Sequence, residues 1–406
     1  MSRHRYFHST GCLPALVLLG TLAAAVLGCH DHGGTGDTGV LDAGDAVISR
    51  DVDVNPDARS DATPPDAEVD AAPNPNVIEL PPSGYTYITA FTNGGFIATY
   101  DDKRGSSALG ADVYYYDVLS RREVQVTNRE LSQDVPYTDG IELVFSDSQF
   151  MDVLAGNHQV ELFSYTILSG EETRLTYEVS KKLVPMFNDQ FILYKSNAGC
   201  PAVDDYNLSL MDRTTGEATV VSGCEQDPET HSIGEHYAAW TARPYPGHNK
   251  DIFVRDLAAG HTFRIDSTDE GDQYFPTTDD VHVVWQDHRS GWREVYMYTF
   301  STGVEECMTP DQWEQARPHL RDGIAAWCDY RFSQQSGEYG DCDVYVFEIA
   351  TRIGRRVTTQ SREYYPRYVD SGWLMYGRWI PASGFKLYMH DLVSDGILSP
   401  DGHVIP

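Results

Sequence analysis

The stretch VVWQDHRSGWREVYMY, residues 283–298, alternates apolar and polar side chains, turns at Ser290-Gly291, and then alternates again. That pattern predicts a strand, a tight turn and a second strand. Asp287, His288 and Arg289 crowd the corner between Trp285 and Trp292. Such a constellation serves either a chemical site or a structural corner, and the rest of the chain bears on which.

The phrase recurs. Related stretches occupy residues 96–118, 143–167, 191–212, 238–257, 325–349 and 374–392, so that seven copies start 42 to 49 residues apart. In each, a short strand ending in an aromatic residue leads through a polar loop to a second strand of alternating aliphatic and aromatic residues. Most copies add a short strand ending in a hydroxyl, as in VQVT (124–127), TRLT (173–176), TVVS (219–222) and RRVT (355–358). A proline precedes the first strand at Pro136, Pro185, Pro276, Pro318 and Pro366, and the first and fourth copies lack it. Four short strands per repeat without an amphipathic helix predict the blades of a β-propeller. The expected fold is all-β, a seven-bladed propeller of four-stranded antiparallel blades. A closed ring of that kind leaves no long exposed sheet edge.

The pattern W-x-D-x-R-x-G, followed by a V-Y-x-Y strand and a strand ending in Thr, resembles the TolB-like propeller repeats of bacterial and archaeal envelope proteins. The resemblance covers about residues 84 to 400, closest in the fifth copy and looser in the second, third and seventh. TolB itself carries an α/β domain ahead of its propeller. Here an acidic tether stands in that place, so neither TolB's role in the Tol–Pal system nor its partners is carried over.

The repeat also bears on the opening question. Asp102-Lys103-Arg104 and Asp329-Tyr330-Arg331 stand at the same corner in the first and sixth copies. A pair that recurs from blade to blade is expected to be a turn device, with Asp accepting backbone N–H bonds and Arg covering an aromatic ring. A reactive group would instead occur once, with partners of its own.

Outside the repeats the chain changes character. Residues 1–28 combine a basic start, Arg3, His4 and Arg5, with the apolar run LPALVLLGTLAAAVLG, and read as a secretory signal too short to span a bilayer. Its end, VLGC, resembles a bacterial lipobox, which implies lipidation of Cys29. The alternative is an ordinary signal cleaved nearby. With no Asp at position 30, the sorting rules of diderm bacteria imply the outer membrane. Residues 29–76 are rich in Asp, Ala and Pro and poor in large apolar side chains, which predicts a disordered, self-repelling tether. Asp51, Asp53, Asn55 and Asp57 have the alternation of a calcium loop. However, Pro56 occupies the position that needs Gly, and no Glu follows at position 62. The propeller is expected over residues 77–406.

The formal net charge of −31 disfavours nucleic acid and anionic lipid surfaces as partners. Contact with a membrane is therefore expected only through the N-terminal lipid. Beyond the signal and Cys29 five cysteines remain, none spaced as CxxC, so no metal or redox motif is expected. In an exported protein, Cys200–Cys224 and Cys328–Cys342 are the expected disulfides, with Cys307 left over. A Cys307–Cys328 pairing that leaves Cys342 over is the alternative.

No nucleophile elbow, zinc-binding helix or phosphate-cradling loop is present, and no cofactor is expected. Some peptidases join a propeller to a hydrolase domain, for which a chain ending at Pro406 is expected to leave no room. Three function classes remain. The first is a tethered binding or scaffold module that holds an envelope protein or a glycan at the propeller mouth. Residues near the prolines (Gln133, Gln273, Gln315, Arg317, Tyr364 and Arg367) are its candidates. The second is a polysaccharide lyase-type enzyme, which needs a His or Tyr base and a cation to stabilise a carboxylate-bearing intermediate. His231, His236, His319 and Tyr364, with Arg317, are the residues available for it. The third is a ligand-free structural component. Convergence of His, Tyr and Arg in the central cleft distinguishes the second from the first.

Overall fold

The computed structural model describes residues 74–81, 97–102, 110–152, 155, 157–265, 271–331, 342–359, 363–368, 372–380 and 384–406. The signal segment, Cys29, the calcium-like carboxylates, Lys103 and Arg104 lie outside the described residues, as do the side chains of Asp102 and Tyr364. The described chain is a ring of antiparallel sheets, with one short 3-10 turn at Cys224–Gln226.

Six of the sheets are four-stranded blades. Along the chain, blade A spans residues 133–174, B 182–222, C 231–264, D 273–307 and E 315–356. Blade F is made of 363–391 together with 77–79. The expectation of seven four-stranded blades is therefore corrected: the propeller is six-bladed. The first repeat makes only a three-stranded sheet among the described residues, from Ile97–Asp102, Asp112–Asp117 and Arg122–Gln125. Its Tyr114 and Tyr116 pack with Met375 and Met389 of blade F, and its Val113 packs with Leu143 and Phe145 of blade A.

Alternation explains how the blades stack. The second strand of each blade carries a large side chain near its middle: Phe145, Tyr194, Trp240, Trp285, Trp327 or Tyr376. All are at most 4% exposed, and each fully buried ring contributes about 2–3 kcal/mol of apolar transfer. The hydroxyls that end the outer strands also have a task. Thr127, Thr176, Thr309 and Thr358 each accept, at 2.9 Å, the N–H of a residue fourteen positions earlier, at the start of the third strand.

The prolines mark a second device. Where they occur, the first strand slips register against the second: between Asp134 and Tyr137, Tyr274 and Thr277, Ala316 and His319, and Tyr364 and Arg367. Proline offers no N–H to the ladder, so the strand places it in a bulge. The preceding residue adopts left-handed φ: 53° at Val135, 52° at Val184, 57° at Phe275 and 55° at Arg317. That conformation is costly for branched and bulky residues and must be held from outside. Thr230 of blade C accepts the Phe275 N–H at 2.9 Å, and Gln286 of blade D accepts that of Arg317 at 3.0 Å.

The ring closes through its N-terminal strand. Val77, Ile78 and Glu79 pair antiparallel with His390, Met389 and Tyr388, which supplies the outer strand of blade F. Asn74 and Asn76 donate to the Asp395 carboxylate, which also binds His390 Nε2 at 2.8 Å. Two disulfides are formed, Cys200–Cys224 and Cys328–Cys342, and Cys307 is the free thiol. The first ties the loop between strands two and three of blade B to the segment after its outer strand. Both suit an oxidising, exported compartment. Among the described residues, no helix is long and apolar enough to cross a membrane.

Candidate functional site: the central channel

The corner that opened the reading is internally satisfied. The Asp287 carboxylate is fully buried and accepts from the Arg289 N–H, Nε and Nη2 at 2.9, 2.9 and 2.7 Å, and from Trp285 Nε1 at 2.8 Å. Arg289 also pairs with Glu305 at 2.6 Å and lies 4.3 Å from the centre of the Tyr296 ring. Asp329, Arg331, Trp327 and Tyr345 repeat the arrangement in blade E. Each acid is saturated within its own blade and is a structural corner. His288 packs edge-on to Tyr274 and shares a 2.8 Å hydrogen bond with Gln286.

The cavity that remains runs along the ring axis, with a volume of about 720 Å³, between the first strands of the blades. The bulge determines what lines it. In each blade that carries a proline, the residue just after it lies at the wall: Tyr137, Met186, Thr277, His319 and Arg367. Ser232 stands at the same register in blade C, opposite Ala239 as Thr277 is opposite Val284. Phe187, Ile233 and Leu320 add apolar wall.

At one end the turns between first and second strands form a rim of carboxylates, Asp139, Asp189, Glu235, Asp279, Asp280 and Asp322. Part of this rim is structural. Asp280 accepts the N–H groups of Glu235, His236 and Tyr237 from blade C, and Asp279 accepts that of Gly323 from blade E. Asp189, Glu235 and Asp322 are exposed.

Asp139, Asn188 and Asp279 begin their turns two residues beyond the wall position, whereas blade C has Gly234 and blade E has Arg321 there. The wall positions of blades E and F are His319 and Arg367. Burial, with Arg367 and Arg321 beside it, holds the His319 imidazole well below its ordinary range. Burial raises the Tyr137 phenol, while the Arg321 charge acts on it in the opposite sense across the channel. His231 is buried, bonds Val184 O through Nε2 at 2.8 Å, and is lowered by desolvation to about 4.

Of the residues expected at the mouth, Arg367 lines the channel. Gln133, Gln273 and Gln315 are buried in the blades, where Gln133 and Gln315 donate to Asp147 and Asp311 and Gln273 accepts from the Ile252 N–H of blade C. Arg317 lies 4.7 Å from the centre of the Phe275 ring, and the side chain of Tyr364 lies outside the described residues. The histidines considered for catalysis, His231, His236 and His319, all border the channel. Tyr137, Met186, Thr277 and Arg321 were not singled out from sequence. The signal that finds most of them is the residue after the repeated proline. Among the described residues, no group of three or more His, Cys, Asp or Glu is placed to hold a metal ion.

No family model and no curated protein matches this chain. Solved structures do share its fold. Oligogalacturonate lyase from Vibrio parahaemolyticus superposes with a TM-score of 0.56 at 12% identity, covering 78% of this chain and 93% of that one. The β-propeller domain of the Trilobed protease from Pyrococcus furiosus gives 0.54 at 10% identity, covering 74% and 92%. TolB from Acinetobacter baumannii gives 0.41 at 15% identity, covering 72% and 79%. For the lyase and the protease domain the likeness is one of fold, a β-propeller of short antiparallel strands, and at these identities none of their activities follows from it.

Proposed function

We propose that this protein is a non-catalytic binding module whose ligand site is the central channel, held at the outer membrane by lipid on Cys29 through the acidic tether. One observation carries the reading. The recurring polar corners are saturated within their blades, whereas the channel wall is where equivalent positions diverge into Tyr, Met, Ser, Thr, His and Arg. Concave sites with apolar walls and a few convergent polar groups are the usual seats of ligands. The two disulfides support an exported location, and the occupant proposed is an envelope protein or glycan.

A second reading, a polysaccharide lyase-type enzyme, is favoured by His319 lying beside two arginines with Tyr137 across the channel. Capture from glycan and peptide arrays by the purified protein, repeated with EDTA, tests the first reading. Binding without turnover is expected. Ultraviolet-absorbing unsaturated product from an acidic polysaccharide would establish the lyase instead.

A further inference from the structure

We infer that a groove between blades C and D binds a quaternary ammonium cation, in a cage of aromatic rings closed by the Asp256 carboxylate. The groove is separate from the central channel and does not depend on it.

Its volume is about 350 Å³, and Tyr237, Asp256, His261, Phe263, Tyr298 and Phe300 line it. None of these residues lines the channel. Phe300 stacks on Tyr237 at 3.9 Å and 15°, and Tyr298 stands nearly perpendicular to Phe300 at 5.8 Å and 74°. Phe263 is tilted by 50° to Tyr298 at 6.2 Å. All four rings are half-buried and rest on a core that includes Val254, Val283 and Trp285. Rings turned in different directions about one small space can each offer π density to a compact cation, whereas a flat sugar ring lies on one face at a time.

The rings alone would serve as packing between blades. The acid at their edge adds a second observation. Asp256 stands opposite Tyr237, the first residue of its second strand. Its Oδ1 accepts the Ala259 N–H at 2.7 Å and closes the turn, while Oδ2 has no hydrogen bond or ion pair among the described residues. No Lys or Arg is among the residues that line the groove, and the net charge of −31 draws cations to the surface. A quaternary ammonium has no N–H to leave unsatisfied against the rings, which favours it over a primary amine.

The equivalent groove between blades E and F shows what an acid at this register holds. Glu348 stands opposite Ile324, again the first residue of its second strand. Leu392 takes the place of Phe300, their N–H groups donating to Gly372 O and Val281 O. The chain's own C-terminal segment fills this groove. Leu398 and Val404 pack with Ile324 and Leu392, and His403 Nδ1 meets Glu348 at 2.6 Å. The bond to Glu348 raises the His403 imidazole above its ordinary value. A cation seated over apolar side chains satisfies the acid there, and the groove between C and D offers the same acid with aromatic walls.

The test is calorimetric titration of choline, of its neutral isostere 3,3-dimethylbutan-1-ol and of cellobiose into the purified protein. Wild type is compared with Asp256→Asn, which keeps an acceptor for the turn, with Tyr298→Leu, and with Ser232→Trp, which fills the channel. Thermal melts confirm that each variant is folded. Choline is expected to bind wild type about tenfold more tightly than the isostere. The preference is expected to vanish in Asp256→Asn, and choline affinity to fall in Tyr298→Leu. The comparison of choline with its isostere needs wild type alone, so it decides even where a variant is unstable. Equal affinities, or no binding of choline, would overturn the cation assignment. A preference kept in both folded groove variants, or lost in Ser232→Trp, would overturn the groove as its site. Tighter binding of cellobiose than of choline would overturn the ligand class. Once choline binds, co-sedimentation with phosphatidylcholine vesicles identifies a lipid headgroup as the source, and its absence identifies a soluble compound.

Discussion

Asp287 serves geometry. With its carboxylate gone, Arg289 keeps Glu305 but loses two charge-assisted bonds, and Trp285 Nε1 is left buried without an acceptor. Asp287→Ala is expected to cost about 3 kcal/mol in urea denaturation and to leave ligand capture unchanged. Loss of capture in a fully folded variant would show that the corner is part of the site. His231 makes the fold sensitive to acid. Its folded value, about 4, lies below the ordinary 6.5, so the unfolded chain takes up the proton first. Its contribution is complete above pH 6.5 and is lost as pH falls towards 4, amounting to about 2 kcal/mol by pH 5. His231→Gln can still donate to Val184 O, and it is expected to flatten the stability–pH curve over that window. An unchanged slope would contradict the assignment. The corner was legible in the sequence because it recurs. The channel side chains were not, because nothing in Tyr137 or Met186 taken alone distinguishes a wall residue from one packed between blades.

The missing information lies in the bulge. Strict alternation along Gln133–Thr138 assigns faces correctly only up to Asp134, since the register skips at Val135 and Pro136. The proline repeat was visible; its effect on the frame follows only once the prolyl position is excluded from the ladder. The hydroxyls at strand ends were visible too, and their partners become clear only with the third strand in place. Thr176→Val keeps the shape but leaves the buried Leu162 N–H without an acceptor, and it removes a hydroxyl that also bonds Glu161. A loss of about 1–3 kcal/mol is expected in thermal or urea melts. A neutral result would mean that a water molecule replaces the hydroxyl.

For the whole molecule, repetition predicted a propeller, and packing at the ends of the chain decided how it is built. Among the described residues, six repeats form four-stranded blades, whereas the first makes a three-stranded sheet and the seventh borrows its outer strand from Val77–Glu79. A short segment beside a low-complexity tether carries little periodic signal, so its partner was not legible in advance. Removing residues 74–80 is expected to lower the melting temperature and to promote self-association through the uncovered edge of Gly384–Asp391. Light scattering and calorimetry would show both, and an unchanged mass and melting temperature would contradict this closure. The Cys200–Cys224 bridge spans 24 residues, and its loss through Cys200→Ser/Cys224→Ser is expected to cost about 3–4 kcal/mol by the chain-entropy relation.

The proposed site lies along the channel wall, where equivalent positions of the repeat diverge. Calorimetric titration of a captured ligand into wild type and Ser232→Trp tests this most directly, with melting temperatures measured alongside. A loss of affinity of roughly a hundredfold, about 2.7 kcal/mol, at an unchanged melting temperature is expected. Equal affinity in the two proteins would place the binding site elsewhere and contradict the central claim.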